Sequence, residues 1–514
     1  HEGPPETVIR TMRRGEVVGE LALLHSGQRT ASVRARRDSV LLELSRSQFE
    51  DLIREEPSFA LALARVMGAQ LAVNHSPVAT TSTPRTIAVV RLDPGAPGPE
   101  AVRRFAEGLG RATSVVRLDP PTDCSDADRL EMIDRAERGA ERVLLVAGDT
   151  PETDTWTRLC LREAEAVLAV TSGTPDPSWL ARSSALHGCE LLIAGPGVSE
   201  TVLTALQPHD VQVVADPTRL VPALEATARR LTGRAVGVVL SGGGARAIAH
   251  LGVLEELLHA GVQIDRLAGV SSGACVAAAV AAGWDIGELY PVIREAFLNG
   301  KPVGDYAIPA YALLRGRRAR QMLSALLGEL RIEELPTRFF CVSSDLVGRQ
   351  AMVHRQGSLR EAVYASLAIP ALLPPVATED GRLLVDGGVL DNLPVATMAR
   401  SGEGPVIASD VTSQQGPFRP ARRRHRVNLV GGWLREILTG SSVTLPRLSD
   451  TILRTVTVGS IDTVAAARRH ADLVIAPEVG DVALMDWKRM DALRETGRQA
   501  ARSSLAEQAV LPWS

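Results

Sequence analysis

From Arg85 onward the chain repeats one pattern, a short apolar run followed by a stretch with helical spacing and then another apolar run. Such runs are Thr86–Leu92, Ser114–Leu118, Arg142–Ala147, Ala166–Val170, Glu190–Ala194 and Val211–Ala215, with helical patterns such as Glu100–Leu109 and Asp126–Arg138 between them. A strand that is followed by a helix and then a further strand pairs in parallel, because the helix carries the chain back to the starting edge. The alternation resumes at Val236–Leu240, with a helix over Arg246–Ala260, a strand at Ile264–Gly269, a helix from Gly273, and strands at Phe339–Ser343 and Val406–Ser409. It predicts α/β architecture throughout, with a doubly wound sheet over residues 85–232 and a second sheet over 233–400, the C-terminal part of that region running on through 401–514. Before it, residues 1–74 form a separate block, and the Pro-bounded, small-residue stretch 75–84 reads as a linker.

Three turns in the second sheet carry chemistry. The first is Gly242-Gly243-Gly244-Ala245-Arg246-Ala247, between a strand and a helix whose Ile248, Leu251, Leu254 and Leu258 share one face. Glycines there leave backbone N–H groups uncovered at a helix start, a nest for an anion or a developing oxyanion. A dinucleotide site fits poorly, because Ala247 replaces the last glycine of GxGxxG and Asp265 opens the next strand instead of ending it. The second is Gly269-Val270-Ser271-Ser272-Gly273, a GxSxG between strand and helix, where small residues either side of the serine tolerate a strained turn. The third is Val385-Asp386-Gly387-Gly388, followed by Asp391-Asn392. An aspartate at a strand end with two glycines behind it can approach a serine without crowding. Singly, each turn also reads as ordinary loop chemistry.

Taken in this order, the three turns resemble the patatin-like phospholipases, and Ala365-Ser366 through Pro374-Pro375 and Val406 to Asp410 look most like the neuropathy target esterase branch. The resemblance implies a three-layer α/β/α hydrolase with a Ser–Asp dyad. Ser271 would be the nucleophile and Asp386 its base. Gly242, Gly243, Gly244 and Arg246 would form the oxyanion hole, with Gly269, Gly273, Gly387 and Gly388 as motif glycines. It implies lysophospholipid or phospholipid substrates, no cofactor and no metal. Rival bases are His250, His354, Asp345 and Asp410. Cys275, two residues past the elbow, reads as a packing residue. Trp284 and the Tyr306–Leu314 stretch are candidates for an acyl pocket, with core packing the alternative.

The first block has Gly19-Glu20-Leu21-Ala22 and Arg29-Thr30-Ala31. It resembles the phosphate cassette of cyclic nucleotide-binding domains, and the resemblance implies that Glu20 holds the ribose hydroxyl and Arg29 the cyclic phosphate. Helices from Ser47 and Ser58 would complete that domain. Only fourteen residues precede Gly15, so the expectation is a partial β-barrel of a truncated chain, with a cyclic nucleotide as candidate effector. The middle block is similar to the segment between sensor and lipase in esterases of the same branch, notably at Thr155-Trp156 to Arg162, and is expected to be a coupling domain.

Composition removes other classes. Lys+Arg at 57 nearly balances Asp+Glu at 60, and aromatics are only 3%, so neither a phosphate-tracking field nor stacking platforms for nucleic acid are expected. Five scattered cysteines without a CxxC pair argue against a disulfide framework or zinc site and for a reducing, cytoplasmic location. No run of 18 apolar residues occurs, and no signal peptide is visible. The basic run Arg419–Arg426, followed by Trp433, Leu434, Ile437 and Leu438, is a candidate for peripheral membrane contact. Two other readings stay open, a nucleotide-sensing regulator with an idle hydrolase fold and a generic soluble carboxylesterase.

Overall fold

The computed structural model describes residues 42–55, 83–121, 124–148, 154–176, 180, 184–300, 304–308, 311–412, 459–480, 482–483 and 485–508. The cassette of Gly19–Ala31 and the basic run Arg419–Arg426 lie outside the described residues, as does the helix expected from Ser58. The helix expected from Ser47 is present as α1 (Arg46–Glu55). The chain divides into two compact units, His1–Ala235 with Ala396–Pro405, and Val236–Val395 with Val406–Ser514.

In the first unit, β1 (Thr86–Arg91), α2 (Pro99–Gly110), β2 (Val115–Leu118), α3 (Asp126–Gly139), β3 (Arg142–Val146), α4 (Thr155–Glu163), β4 (Ala166–Thr171), β5 (Glu190–Ile193), α5 (Glu200–Leu206), β6 (Asp210–Val213) and α6 (Leu220–Leu231) follow in sequence. The strands form one parallel sheet in the order β2-β3-β1-β4-β5-β6. Alternate strand residues feed two apolar layers, one around Trp156 and Leu191, the other around Ile87 and Phe105. Trp156, on the helix that the Thr155–Arg162 motif becomes, is buried and donates its ring N–H to Val146 O at 2.8 Å. At the carboxyl edge, Asp93 accepts from Ser172 N at 2.9 Å, from Ser172 Oγ at 2.6 Å and from Thr171 Oγ1. Its carboxylate therefore closes the loops above β1 and β4 on each other.

The second unit holds β7 (Val236–Leu240), α7 (Ala249–His259), β8 (Ile264–Val270), α8 (Ser272–Ala281), α9 (Ile286–Leu298), α10 (Arg317–Leu327), β9 (Arg338–Asp345), β10 (Gln350–His354), α11 (Leu359–Leu367), β11 (Val376–Ala377), β12 (Leu383–Asp386), β13 (Val406–Ser409), α12 (Ile461–His470), β14 (Leu473–Ile475) and α13 (Met490–Ala506). Its eight-stranded sheet runs β11-β12-β9-β8-β7-β13-β14, with β10 added on β9. From β9 to β14 the strands are parallel, whereas β10, β11 and β12 pair antiparallel. Asp265 sits inside β8 and accepts from Val236 N at 3.2 Å, which ties down the start of β7. Helix α7 crosses α13 at two glycines: a Cβ on Gly252 would lie 1.9 Å from Arg494 O, and one on Gly497 1.9 Å from Ala249 O. The same crossing is bound by Arg494 and Arg498 on Glu255 and by Arg502 on Glu256.

Candidate active site

Ser271 stands between β8 and α8 at φ 54 and ψ −128, a region side-chain-bearing residues rarely occupy and one that costs about 1–3 kcal/mol. The turn is this tight because the helix starts where the strand stops. A Cβ on Gly269 would meet Ala274 N and Gly273 C and O at 2.6 Å, and one on Gly273 would meet Ser241 O at 2.4 Å. Nothing larger than glycine fits at either position. Ser271 N–H donates to Ser366 Oγ at 2.9 Å, and Ser366 in turn donates to Val342 O at 2.7 Å, so a buried hydroxyl holds the strained peptide.

Strand register brings the carboxylate. Val270 of β8 pairs with Val342 of β9, and Asp386 of β12 pairs with Ser343, the next residue along β9. Because β12 runs antiparallel, its last residue arrives level with the elbow from the opposite direction. The Ser271 side chain lies beside the Asp386 carboxylate, close enough to lower its pKa, and Gly388 N donates to Asp386 Oδ1 at 2.8 Å. Asp386 is buried, which pushes its carboxyl up to about 6, held back by the neighbouring Ser271 and by the Gly388 N–H. Gly387 packs against Val342 O, where a Cβ would come within 2.2 Å.

The glycine turn lies against the same serine. A Cβ on Gly242 would be 3.1 Å from Ser271 Cβ and 2.5 Å from Asn392 Oδ1. Gly242 N donates to Asn392 O at 3.4 Å, while Asn392 Nδ2 donates to Gly242 O at 3.3 Å, so one buried asparagine grips both the N–H and the carbonyl of that glycine. Gly243 N donates to Ser272 Oγ at 3.2 Å, and Gly244, at φ 57, opens the short 3-10 turn Gly244–Ile248. Arg246 bonds elsewhere: its N–H goes to Gly243 O at 3.2 Å and its Nε to Val482 O at 2.7 Å, bracing the turn against the C-terminal segment.

The rival bases have structural partners instead. His250 is fully buried, and burial pushes its imidazole down to about 4, so it is neutral at pH 7. Its Nε2 must donate to Ser241 O at 2.9 Å, which leaves Nδ1 to accept from Ser409 Oγ at 2.7 Å. The ring thus ties the ends of β7 and β13 together below the glycine turn. His354, which reads as a solvated loop residue from sequence, is half-buried in β10 with Nε2 on Ser343 Oγ at 2.7 Å. Asp410 binds Arg468 Nε at 2.6 Å and caps Thr412 N, and Asp345 caps Val347 N at 3.0 Å. Burial pushes the Cys275 thiol up to about 12, which suits packing and not nucleophilic attack. Ser366 and Asn392 are the positioning groups that sequence reasoning missed as site residues. Both lie inside quoted motif segments, yet nothing local marks either side chain as facing Ser271.

A cleft of about 290 Å³ opens between α9 and α10, lined by Val292, Phe297, Gln321 and Met322, with Cys275 at its base one helical turn from Ser271. Trp284 packs in the core, its ring N–H on Leu326 O at 3.1 Å, and Tyr306 and Tyr311 point into solvent, so the expected acyl-pocket residues do not line this cleft. Among the described residues no group of three or more His, Cys, Asp or Glu could hold a metal ion, and no helix is long and apolar enough to cross a membrane.

Residues 238–399 match the family model described as patatin-like phospholipase, and residues 2–56 that of the cyclic nucleotide-binding domain. An uncharacterized NTE family protein of Mycobacterium tuberculosis is 33% identical, covering 98% of this chain and 87% of its own length. Lysophospholipase NTE1 of Yarrowia lipolytica is 25% identical, over 98% of this chain and 41% of its own. Among solved structures, VipD from Legionella pneumophila matches 53% of this chain and 67% of its own at 16% identity, with a TM-score of 0.28, too slight a likeness to inform the site. The near-complete mycobacterial match and the patatin-like model over the elbow and aspartate turns agree: the chain belongs to the NTE family and carries the patatin-like fold of a lipid carboxylic ester hydrolase.

Proposed function

We propose that the chain hydrolyses fatty-acyl esters of lysophospholipids and phospholipids through Ser271 and Asp386. The observation that carries this reading is the Ser271 side chain beside a buried carboxylate at a strained strand-to-helix turn. Asp386 takes the hydroxyl proton as Ser271 Oγ attacks the ester carbonyl, and the alcohol leaves with that proton. Water, deprotonated by the same carboxylate, then attacks the acyl-enzyme, releasing fatty acid and returning the proton to Ser271. The turn Gly242–Gly244 and the positive end of α8 stabilise the two tetrahedral oxyanions. The acyl chain occupies the α9–α10 cleft, whose base reaches within one helical turn of the nucleophile. Lysophospholipids are the substrate class to try first, because fungal relatives over nearly all of this chain bear the name lysophospholipase.

Fatty-acid release from lysophosphatidylcholine, measured for the wild type and for Ser271→Ala, tests the reading. Loss of a nucleophile is expected to lower the rate by about 10⁶. Equal release by both proteins would move the nucleophile elsewhere, and much faster cleavage of short p-nitrophenyl esters would point to a general carboxylesterase. The cyclic nucleotide-binding match, with Glu20 and Arg29 at the cassette positions, supports a nucleotide effector acting on this hydrolysis.

A further inference from the structure

Between α9 and α10 the chain makes a narrow loop whose base is firmly held. Tyr306 and Leu314 form an antiparallel bridge, Ala307 N donates to Leu313 O at 2.9 Å, and Arg315 N donates to Asp305 O at 2.8 Å. Leu313 N and Leu314 N donate to Ala371 O and Leu372 O, and Leu314 packs with Leu372 and Leu373 in a small apolar cluster. Asp305 Oδ2 accepts from Arg317 N at 2.7 Å, which fixes the loop to the first turn of α10. On this fixed base the side chains above are inverted with respect to water. Tyr306 is 74%, Ile308 91% and Tyr311 88% exposed. Of the four large apolar side chains most exposed among the described residues, three therefore lie within six positions of one loop, so the exposure is a cluster and not scatter.

Charge beside the loop has a definite sign. Arg315, Arg317 and Arg318 are exposed, and none forms an ion pair with a described residue. Arg317 and Arg318 stand in the first turn of α10, which contains no acidic residue. Cations there oppose the helix dipole, so helix stability does not explain them. Amphipathic aromatics and an isoleucine beside a basic rim match the boundary between the headgroups and acyl chains of an anionic bilayer. Arg318, one of these rim arginines, also lines the α9–α10 cleft.

We propose that Tyr306, Ile308 and Tyr311, rimmed by Arg315, Arg317 and Arg318, dock the protein on an anionic lipid surface. The proposal deepens the hydrolase reading above and rests on it for the use of the cleft. Docking sets the cleft mouth at the depth where acyl chains begin, so substrate enters from the bilayer and not from water.

The test is co-sedimentation of the full chain with vesicles of equimolar phosphatidylcholine and phosphatidylglycerol and with vesicles of phosphatidylcholine alone. Wild type is expected to bind the mixed vesicles more tightly. The variant Tyr306→Ser/Ile308→Ser/Tyr311→Ser should bind both at least about tenfold more weakly, with cleavage of dissolved p-nitrophenyl butyrate unchanged and cleavage of vesicle lipid reduced in step with binding. The apolar replacement Tyr306→Phe/Ile308→Leu/Tyr311→Phe should retain binding, and Arg315→Gln/Arg317→Gln should lose only the preference for anionic vesicles. Wild type that remains in the supernatant, or a serine variant that binds as well as wild type, overturns the proposal. So does a serine variant that changes oligomeric state while keeping vesicle affinity, because the loop is then a protein interface. Vesicle binding that follows the loop in a protein cleaving no ester would sink the hydrolase reading and leave the docking surface standing.

Discussion

At the scale of single residues the site is a set of local costs held in place by buried hydrogen bonds. Asp386 is kept from water, and its raised carboxyl near 6 makes it a better proton acceptor than an exposed aspartate would be. In the proposed mechanism only the ionised form takes the Ser271 proton. The profile of kcat/KM against pH should therefore fall about tenfold per unit below about 6 and level off above it. The stability consequence has the opposite sign. A carboxyl raised from 3.8 to about 6 favours the folded state in its protonated form, fully below about 4, and that contribution is lost as pH rises through about 6. At neutral pH Asp386→Asn should therefore melt higher than wild type while hydrolysing nothing, and a thermal scan beside an activity assay checks both halves. The second local cost is the backbone of Ser271 at φ 54. Ser271→Gly, free to adopt that conformation, should be inactive yet more resistant to urea by about 1 kcal/mol. A less stable glycine variant would show that the serine side chain contributes more than its backbone strain costs.

At the scale of elements, what holds the site is helix against helix and strand against strand. Helix α7 begins just after the glycine turn, and α13 lies on it so closely that neither Gly252 nor Gly497 has room for a Cβ. Gly497→Ala should force the two helices apart, costing about 1–3 kcal/mol of stability and lowering kcat by loosening the turn that Arg246 braces on Val482. Urea denaturation and kcat measured on the same preparation test this, and an unchanged protein would mean the crossing yields without strain. Most strand positions were legible, because a run such as Val236–Leu240 is apolar on both faces and bounded by turn residues, a local property. The edge of the second sheet was not. Strands β10, β11 and β12 are short, half-exposed or both; β10 and β11 pair with strands only a few residues away, and β12 finds its antiparallel partner β9 about forty residues back. For the same reason His354 read as a solvated loop residue until β10 paired it with β9.

At the scale of the whole molecule, hydrolase chemistry shares one chain with a segment matching the cyclic nucleotide-binding domain. If that segment acts as an effector site, cAMP or cGMP should change the hydrolysis rate a few-fold, and Arg29→Ala should remove the change without altering the basal rate. Calorimetric binding with no change in rate would confine the nucleotide to a role apart from this hydrolysis. The sequence by itself determined the chemistry-bearing turns, since each is written within a few consecutive residues: Gly242–Gly244, Gly269 to Gly273 around Ser271, and Asp386–Gly388. Only the tertiary structure decided which carboxylate meets Ser271, that Ser366 and Asn392 hold the serine and the glycine turn, and that His250 is a neutral tie between strands. Those pairings join positions 95 residues apart for Ser271 and Ser366 and 150 apart for Gly242 and Asn392. Backbone preference acts over a turn or two, whereas strand register, set by burial across the entire sheet, decides which distant side chains share one site.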